Sequence, residues 1–327
     1  MLPDFSALSV ADVGVGVELL PGFKRKASAV RKDEAGAKRA KKAAAATAAL
    51  NRLVDFCFEN PFDGLFKRLT AVQTLLQKHT EGVRLSETSY CKYDFKYRKN
   101  TLFLSTLLHF DPAPRCARGL LCAPLQNKHQ LGEPVVHDER ATGTTSVGQR
   151  NSIPPDLVIE LVDAWKLQNP DATTFLFIDV FTGWGSVEET IKATYSDVYV
   201  CTNDINKQPL FELDMRHWTL ESLLTFALTW LKNRGVYIDL ESDKGAFALA
   251  KQHNIAVLFH LSTPCETYSC IGLRAHRDAG QPITEAAKQA DQMNTRLIQE
   301  LEKHVFHSSQ PSSLPPAQSR FAAGASL

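Results

Sequence analysis

The stretch Ile255-Ala-Val-Leu-Phe-His-Leu-Ser-Thr-Pro-Cys-Glu-Thr-Tyr-Ser269 constrains this chain more than any other. An apolar, β-branched run stops abruptly at Pro264-Cys265. It predicts a buried strand that delivers one thiol to the rim of a sheet, where open α/β folds place their ligands. A small cysteine that merely packs fits the run equally well. What the rest of the chain brings beside Cys265 decides between nucleophile and packing group.

Two other apolar runs end the same way. Leu53-Val-Asp-Phe-Cys-Phe58 stops at Glu59-Asn60-Pro61, so it too reads as a strand with polar groups at its carboxyl end. The alternative for Glu59 is a surface carboxylate. Thr173-Thr-Phe-Leu-Phe-Ile-Asp-Val-Phe-Thr-Gly-Trp-Gly-Ser-Val187 reads as a strand, then Gly183-Trp-Gly185-Ser186, then a helix opening at Val187. Glycines there let backbone approach a ligand at a helix N-terminus. Asp204 follows a further strand, Val198-Tyr-Val-Cys201, where a carboxylate can accept hydrogen bonds from a ribose. Asp214 lies past a third strand or loop. With two glycines the full dinucleotide fingerprint is not met, and a tight turn with a capping Asp is the structural alternative.

Between the strands lie helical patterns. Phe62 to Lys78 carries Leu65, Phe66, Leu69, Val72, Leu75 and Leu76 near a 3.6 period. Asn151-Ser-Ile-Pro-Pro-Asp156 launches a helix with Leu157, Val158, Leu161, Val162 and Trp165 in one stripe. Trp218 to Lys232 and Ala286 to Val305 read as two more, and residues 235 to 252 as an insertion. Strands alternating with helices predict an α/β, doubly wound, Rossmann-like fold.

Tyr90 to Ser105 interleaves aromatics with Lys92, Lys96, Arg98 and Lys99 before a strand-like Leu102 to Leu104. Aromatic faces beside cations suit a nucleic-acid backbone and an unstacked base; a strand with a solvated face gives the same pattern. Cys116, Cys122, His129 and His137 are spaced more loosely than a structural zinc site requires, so no metal is assigned.

At 327 residues, 44% hydrophobic and 22% charged, the chain can bury one substantial α/β core. No apolar run approaches the ~18 residues of a membrane span, and Asp4, Asp12 and Glu18 sit where a signal peptide wants basic groups. Neither secretion nor membrane association is expected. The 7 scattered cysteines suit a reducing compartment. Net charge is +1, yet Lys24 to Lys42 holds nine Lys/Arg against Asp33 and Glu34, leaving the remainder acidic. Its two basic clusters, Lys24-Arg25-Lys26 and Lys38-Arg39-Ala-Lys41-Lys42, read as a signal for an import receptor, hence a nuclear location, with the cytoplasm otherwise. The expected organisation is a disordered basic leader over 1–48, a folded domain over 49–307 with a small insertion at 104–150, and a disordered tail over 308–327.

Together these pieces resemble the C5-cytosine-specific DNA methyltransferases. Phe181-Thr-Gly-Trp-Gly185, Asp204, Asp214, Pro264-Cys265 and Glu59-Asn60 look like that family's S-adenosylmethionine loop, cofactor carboxylates, Pro-Cys nucleophile and Glu-Asn element. Arg150-Asn151-Ser-Ile-Pro-Pro-Asp-Leu-Val158 is similar to its closing segment. The order is circularly permuted, because the Glu-Asn element and closing segment precede the cofactor loop. Such a rearrangement is tolerated where chain ends lie close together on a surface.

The resemblance implies an S-adenosylmethionine-dependent methyltransferase fold, with residues 104–150 as a small target-recognition-like insertion. It implies methyl transfer to cytosine C5 in double-stranded DNA through a covalent Cys265 adduct. Glu59 would bind the ring nitrogen and exocyclic amine, Asn60 would order the loop, and Arg98 would help anchor the base. Phe181, Gly183, Gly185, Ser186, Asp204, Asp214 and Asn151 would surround the cofactor. Two departures are Thr263-Pro-Cys-Glu266 for the usual Pro-Pro-Cys-Gln, and Arg98-Lys99-Asn100 for a pair of arginines. The alternatives are the same chemistry on tRNA or other RNA, and an inactive nuclear nucleic-acid-binding module.

Overall fold

A computed structural model describes residues 53–62, 64–93, 95, 99–116, 121–122, 135–136, 152–183, 185–204, 218–263 and 275–307. All belong to one compact unit, Thr47–Leu327. The expected leader with its import signal and the tail lie outside these residues, as does most of the expected insertion. Within that insertion β4 (Leu121–Cys122) pairs antiparallel with β5 (Val135–Val136).

Six strands form the main sheet: β1 (Val54–Pro61), β2 (Arg84–Ser89), β3 (Asn100–Ser105), β6 (Thr174–Val180), β7 (Val198–Asn203) and β8 (Ile255–Leu261). Their order is β2-β3-β1-β8-β6-β7. β1, β8, β6 and β7 are parallel neighbours, and β3 runs antiparallel to both β1 and β2. Parallel strands covered on both faces need near-continuous apolar sequence, and Ile-Ala-Val-Leu-Phe-His-Leu261 supplies it, every residue buried. This is the α/β, Rossmann-like architecture.

Helices cover both faces. On one, α1 (Thr70–Lys78), α4 (Leu220–Lys232), α5 (Ala246–Gln252) and α6 (Glu285–Leu301) pack on Phe56, Phe58, Ile178, Val257 and Phe259. On the other, α2 (Pro155–Gln168) and α3 (Ser186–Thr194) pack on Phe175, Phe177, Val200 and Leu258. Trp165 is fully buried there, its ring edge-on to Phe175 and Phe177 at 5.2 and 6.2 Å. After α6 the chain continues as a π-helical turn, Glu302–His307. A short hairpin, β9 (Arg277–Asp278) with β10 (Gln281–Pro282), is pinned to α6 by the two-pronged Arg277–Asp291 pair at 2.9 and 2.6 Å.

Two expectations need correction. The helix expected from Phe62 starts later, as a 3-10 turn Phe66–Arg68 followed by α1. Phe62 still donates its N–H to Asn100 O at 3.1 Å, tying it to the sheet, and Leu69 at ψ 133° interrupts the helical path. Nor are residues 235–252 simply an insertion: α5 puts Ala246, Phe247, Leu249 and Ala250 into the core, and Glu221 of α4 accepts the Ala246 N–H at its start.

Candidate functional site

The carboxyl ends of β1, β8, β6 and β7 form one rim. The strand order turns at β6, which has its sequence neighbour β7 on one side and β8 on the other. That is where open α/β sheets bind ligands. Each run singled out in the sequence ends there.

Glu59 is 6% exposed near the end of β1. Its Oε1 accepts the Tyr90 hydroxyl at 2.9 Å and pairs with Lys99 Nζ at 3.3 Å, while Lys99 also lies over the Tyr90 ring at 4.7 Å. Among the described residues Oε2 has no hydrogen-bond partner. The antiparallel β2–β3 register pairs Ser89 with Asn100, which sets Tyr90 and Lys99 side by side. Burial pushes the Glu59 carboxyl up. The Lys99 charge, the Tyr90 hydrogen bond and the His260 ring outweigh that and hold it below its ordinary value. The site therefore presents a buried, ionised carboxylate with one oxygen to spare.

Parallel pairing of β1 with β8 aligns Phe58 with Leu261, and the next residues bring Asn60 to Thr263. Asn60 Nδ2 donates to Thr263 Oγ1 at 3.2 Å, both residues being buried. The Glu-Asn element is thus fastened to the chain two residues before Cys265. Behind Glu59, Cys57 and Asp179 flank His260 on the neighbouring strands. His260 Nδ1 and Asp179 Oδ1 share a hydrogen bond at 2.8 Å, at 1% exposure each. Burial first, and then the Glu59 charge, push the Cys57 thiol well above its ordinary value, making Cys57 a packing thiol.

At the end of β6 the chain turns through three left-handed residues, Phe181 (φ 66°), Gly183 (φ 58°) and Gly185 (φ 77°), before α3 begins at Ser186. Phe181 spends about 1–2 kcal/mol in this conformation, strain of the sort that collects at ligand clamps. A side chain on Gly185 would meet nothing within 4 Å, so the space before the helix N-terminus is open. Asp204, just past β7 and 8% exposed, accepts the Gly183 N–H through Oδ2 at 2.7 Å. Ser186 Oγ accepts the Ile153 N–H at 3.1 Å, bringing the segment before α2 to the same loop.

The rim thus gathers Glu59, Asn60, Phe181, Gly183, Gly185, Ser186 and Asp204. Cys265, Arg98, Asp214 and Asn151 lie outside the described residues. Tyr90 and Tyr93 are not free to take an unstacked base: both are buried, with hydroxyls donated to Glu59 and Glu160. The sequence marks Tyr90 and Lys99 as part of a basic aromatic segment but not as partners of Glu59, and it does not single out Asp179 or His260; strand register rather than spacing brings all four together. Cys116 is buried beside Cys91, and no group of three or more His, Cys, Asp or Glu able to hold a metal occurs among the described residues. Cys122 has no described side chain, and His129 and His137 lie outside. No helix among the described residues is long and apolar enough to cross a membrane.

Fold and rim place the chain among α/β proteins with a Rossmann-like, mostly parallel sheet. Comparison with protein-family models gives no match, and comparison with curated proteins gives no significant one.

Proposed function

We propose that this chain is an S-adenosylmethionine-dependent C5-cytosine methyltransferase acting on DNA. The observation that carries the reading is the Asn60–Thr263 hydrogen bond, which ties the Glu-Asn element to the exit of β8 just before Pro264-Cys265. Residues separated by about 200 positions meet where the chemistry needs them together.

The glycine loop fits the cofactor. Open space at Gly185, the strained Phe181 and the Asp204 carboxylate form a cradle for a nucleoside with a charged tail, and the Ser186–Ile153 contact brings the segment after Asn151 to its edge. Phe181 would contact the adenine, Gly183 and Gly185 would leave room for the methionine portion, and Asp204 would hold the ribose, with Asp214 on the adenine amine. When bound, the cofactor supplies a methyl group on a positively charged sulfur.

This chain's residues must make cytosine C5 nucleophilic. The Cys265 thiolate adds to C6, and the electron pair of the C5–C6 bond becomes available at C5. Glu59, ionised and with Oε2 spare, accepts a hydrogen bond from the exocyclic amine, and its charge favours uptake of a proton from water at the ring nitrogen, lowering the barrier to thiolate attack. Lys99 and Tyr90 hold that carboxylate in place. The target base must leave the stack to reach it. Once C5 carries the methyl group that the cofactor would supply, loss of the C5 proton to water expels Cys265 as a thiolate and restores the ring.

Incubation with labelled S-adenosylmethionine and either duplex DNA or tRNA, followed by nucleoside mass spectrometry, tests the proposal. 5-Methylcytosine in the DNA, lost in Cys265→Ser, supports it. Product in tRNA alone moves the substrate to RNA. No product in either, with cofactor bound, leaves the inactive binding module.

A further inference from the structure

Two residues past Asn60, the Phe62 ring holds two cations: Lys67 Nζ lies 3.9 Å and the Arg115 guanidinium carbon 3.8 Å from its centroid. The ring sits on the β1 side of the rim, because the Phe62 N–H donates to Asn100 O at the start of β3. Neither cation forms an ion pair with a carboxylate among the described residues. The two like charges lie within about 8 Å of each other, no farther than the screening length at physiological salt, so they repel. Attraction to the ring face, about 0.5–2 kcal/mol per cation, holds them there and reduces the freedom each would lose on meeting an anion. An anion beside either cation relieves the repulsion.

We infer that Lys67 and Arg115, carried on Phe62, grip the sugar–phosphate backbone of the nucleic-acid strand whose base enters beside Glu59. The inference rests on the proposed function for the nature of that strand. It gives this chain a source of backbone contacts where the resemblance expects paired arginines and the sequence has Arg98-Lys99-Asn100. Phosphate contacts position a strand without reading its sequence, so the clamp adds affinity and register but no base preference.

Backbone contacts have a signature that a structural role for Phe62 would lack: each phosphate neutralised adds about 0.9 to the slope of log affinity against log salt on duplex DNA, and about 0.7 on a single strand. Fluorescence anisotropy with a labelled duplex oligonucleotide and a labelled single strand, over a salt series, measures that slope for the full chain. Lys67→Gln/Arg115→Gln should lower its magnitude by about 1.8 on duplex and about 1.4 on single strand, and Arg115→Gln, at an exposed position, by about half as much. Lys67→Arg/Arg115→Lys should restore the slope. Inorganic phosphate at the same ionic strength should not displace the strand; displacement would make the clamp a free-phosphate site and overturn the inference.

An unchanged slope in both neutralising variants overturns it as well, as does wild-type protein that binds neither strand. Methyl transfer measured on the same preparations separates the two proposals. Product with an unchanged slope removes the clamp and keeps the enzyme. A reduced slope without product keeps the clamp and removes the enzyme.

Discussion

Asn60 Nδ2 donates to Thr263 Oγ1 at 3.2 Å, joining the carboxyl end of β1 to the exit of β8 inside the protein. Both strands are central, so the bond positions the approach to Cys265 relative to Glu59 from a rigid base. Asn60→Ala and Thr263→Val should each destabilise the fold by about 1 kcal/mol, and a double-mutant cycle in denaturant should return a coupling of similar size. Because small misplacements cost much in rate, each single change should lower the methyl-transfer kcat by about 10- to 100-fold.

Glu59 supplies a pH signature. Its folded pKa lies below the ordinary 4.5, so as pH falls the unfolded chain takes up the proton first. The stability this carboxylate contributes is complete above about pH 4.5 and is lost as pH falls through the folded value. Glu59→Gln should cost about 2 kcal/mol at pH 7 by removing a charged partner from Lys99 and Tyr90. Denaturant midpoints of wild type and variant, measured from pH 7 downward, should converge below pH 4.5.

The loop after β6 should separate cofactor affinity from folding. Gly185→Ala has space but not conformation, and at φ 77° it should cost about 1–2 kcal/mol. Asp204→Ala frees the Gly183 N–H and removes the proposed ribose ligand. Calorimetric titration with S-adenosylmethionine should show at least about tenfold weaker binding for Asp204→Ala, since a hydrogen bond to a charged group contributes about 1.5–3 kcal/mol.

At the opposite end of β1, Asp55 is a structural counterpart to Glu59. Its oxygens accept Thr106 Oγ1 at 2.8 Å, Gln168 Nε2 at 2.7 Å and Asn169 Nδ2 at 3.1 Å, fastening the end of α2 to the sheet. Asp55→Ala leaves the Thr106 hydroxyl without its acceptor and takes one acceptor each from Gln168 Nε2 and Asn169 Nδ2, which keep Thr106 O and Trp165 O, and should destabilise the fold by about 2–3 kcal/mol, read from urea unfolding.

The strands that carry the site were legible because central parallel strands must be apolar throughout: β6 and β8 announce themselves, although β8 ends at Leu261, three residues before Pro264. The α2 stripe was legible for the same reason at helical period. β2, Arg-Leu-Ser-Glu-Thr-Ser89, was not. It lies at the sheet edge with its first half largely exposed, so nothing in its hydropathy separates it from a loop. Without β2 the placement of Tyr90 beside Glu59 is invisible, and its ring passes for a solvent-facing one. The Asp179–His260 pair was hidden differently: each polar residue stands within an apolar run, and only the β6–β8 register shows that they are partners. α5 escaped because its seven residues are too few to display a period.

The central claim is that Cys265 attacks the base beside Glu59. A duplex oligonucleotide carrying 5-fluorocytosine tests it most directly, because fluorine at C5 blocks the final elimination and leaves the thiol attached. With S-adenosylmethionine present, intact-mass and peptide mass spectrometry should find one oligonucleotide per chain, bound through Cys265, and none in Cys265→Ser. An adduct at another cysteine, or no adduct from protein that binds both cofactor and duplex, would contradict the account.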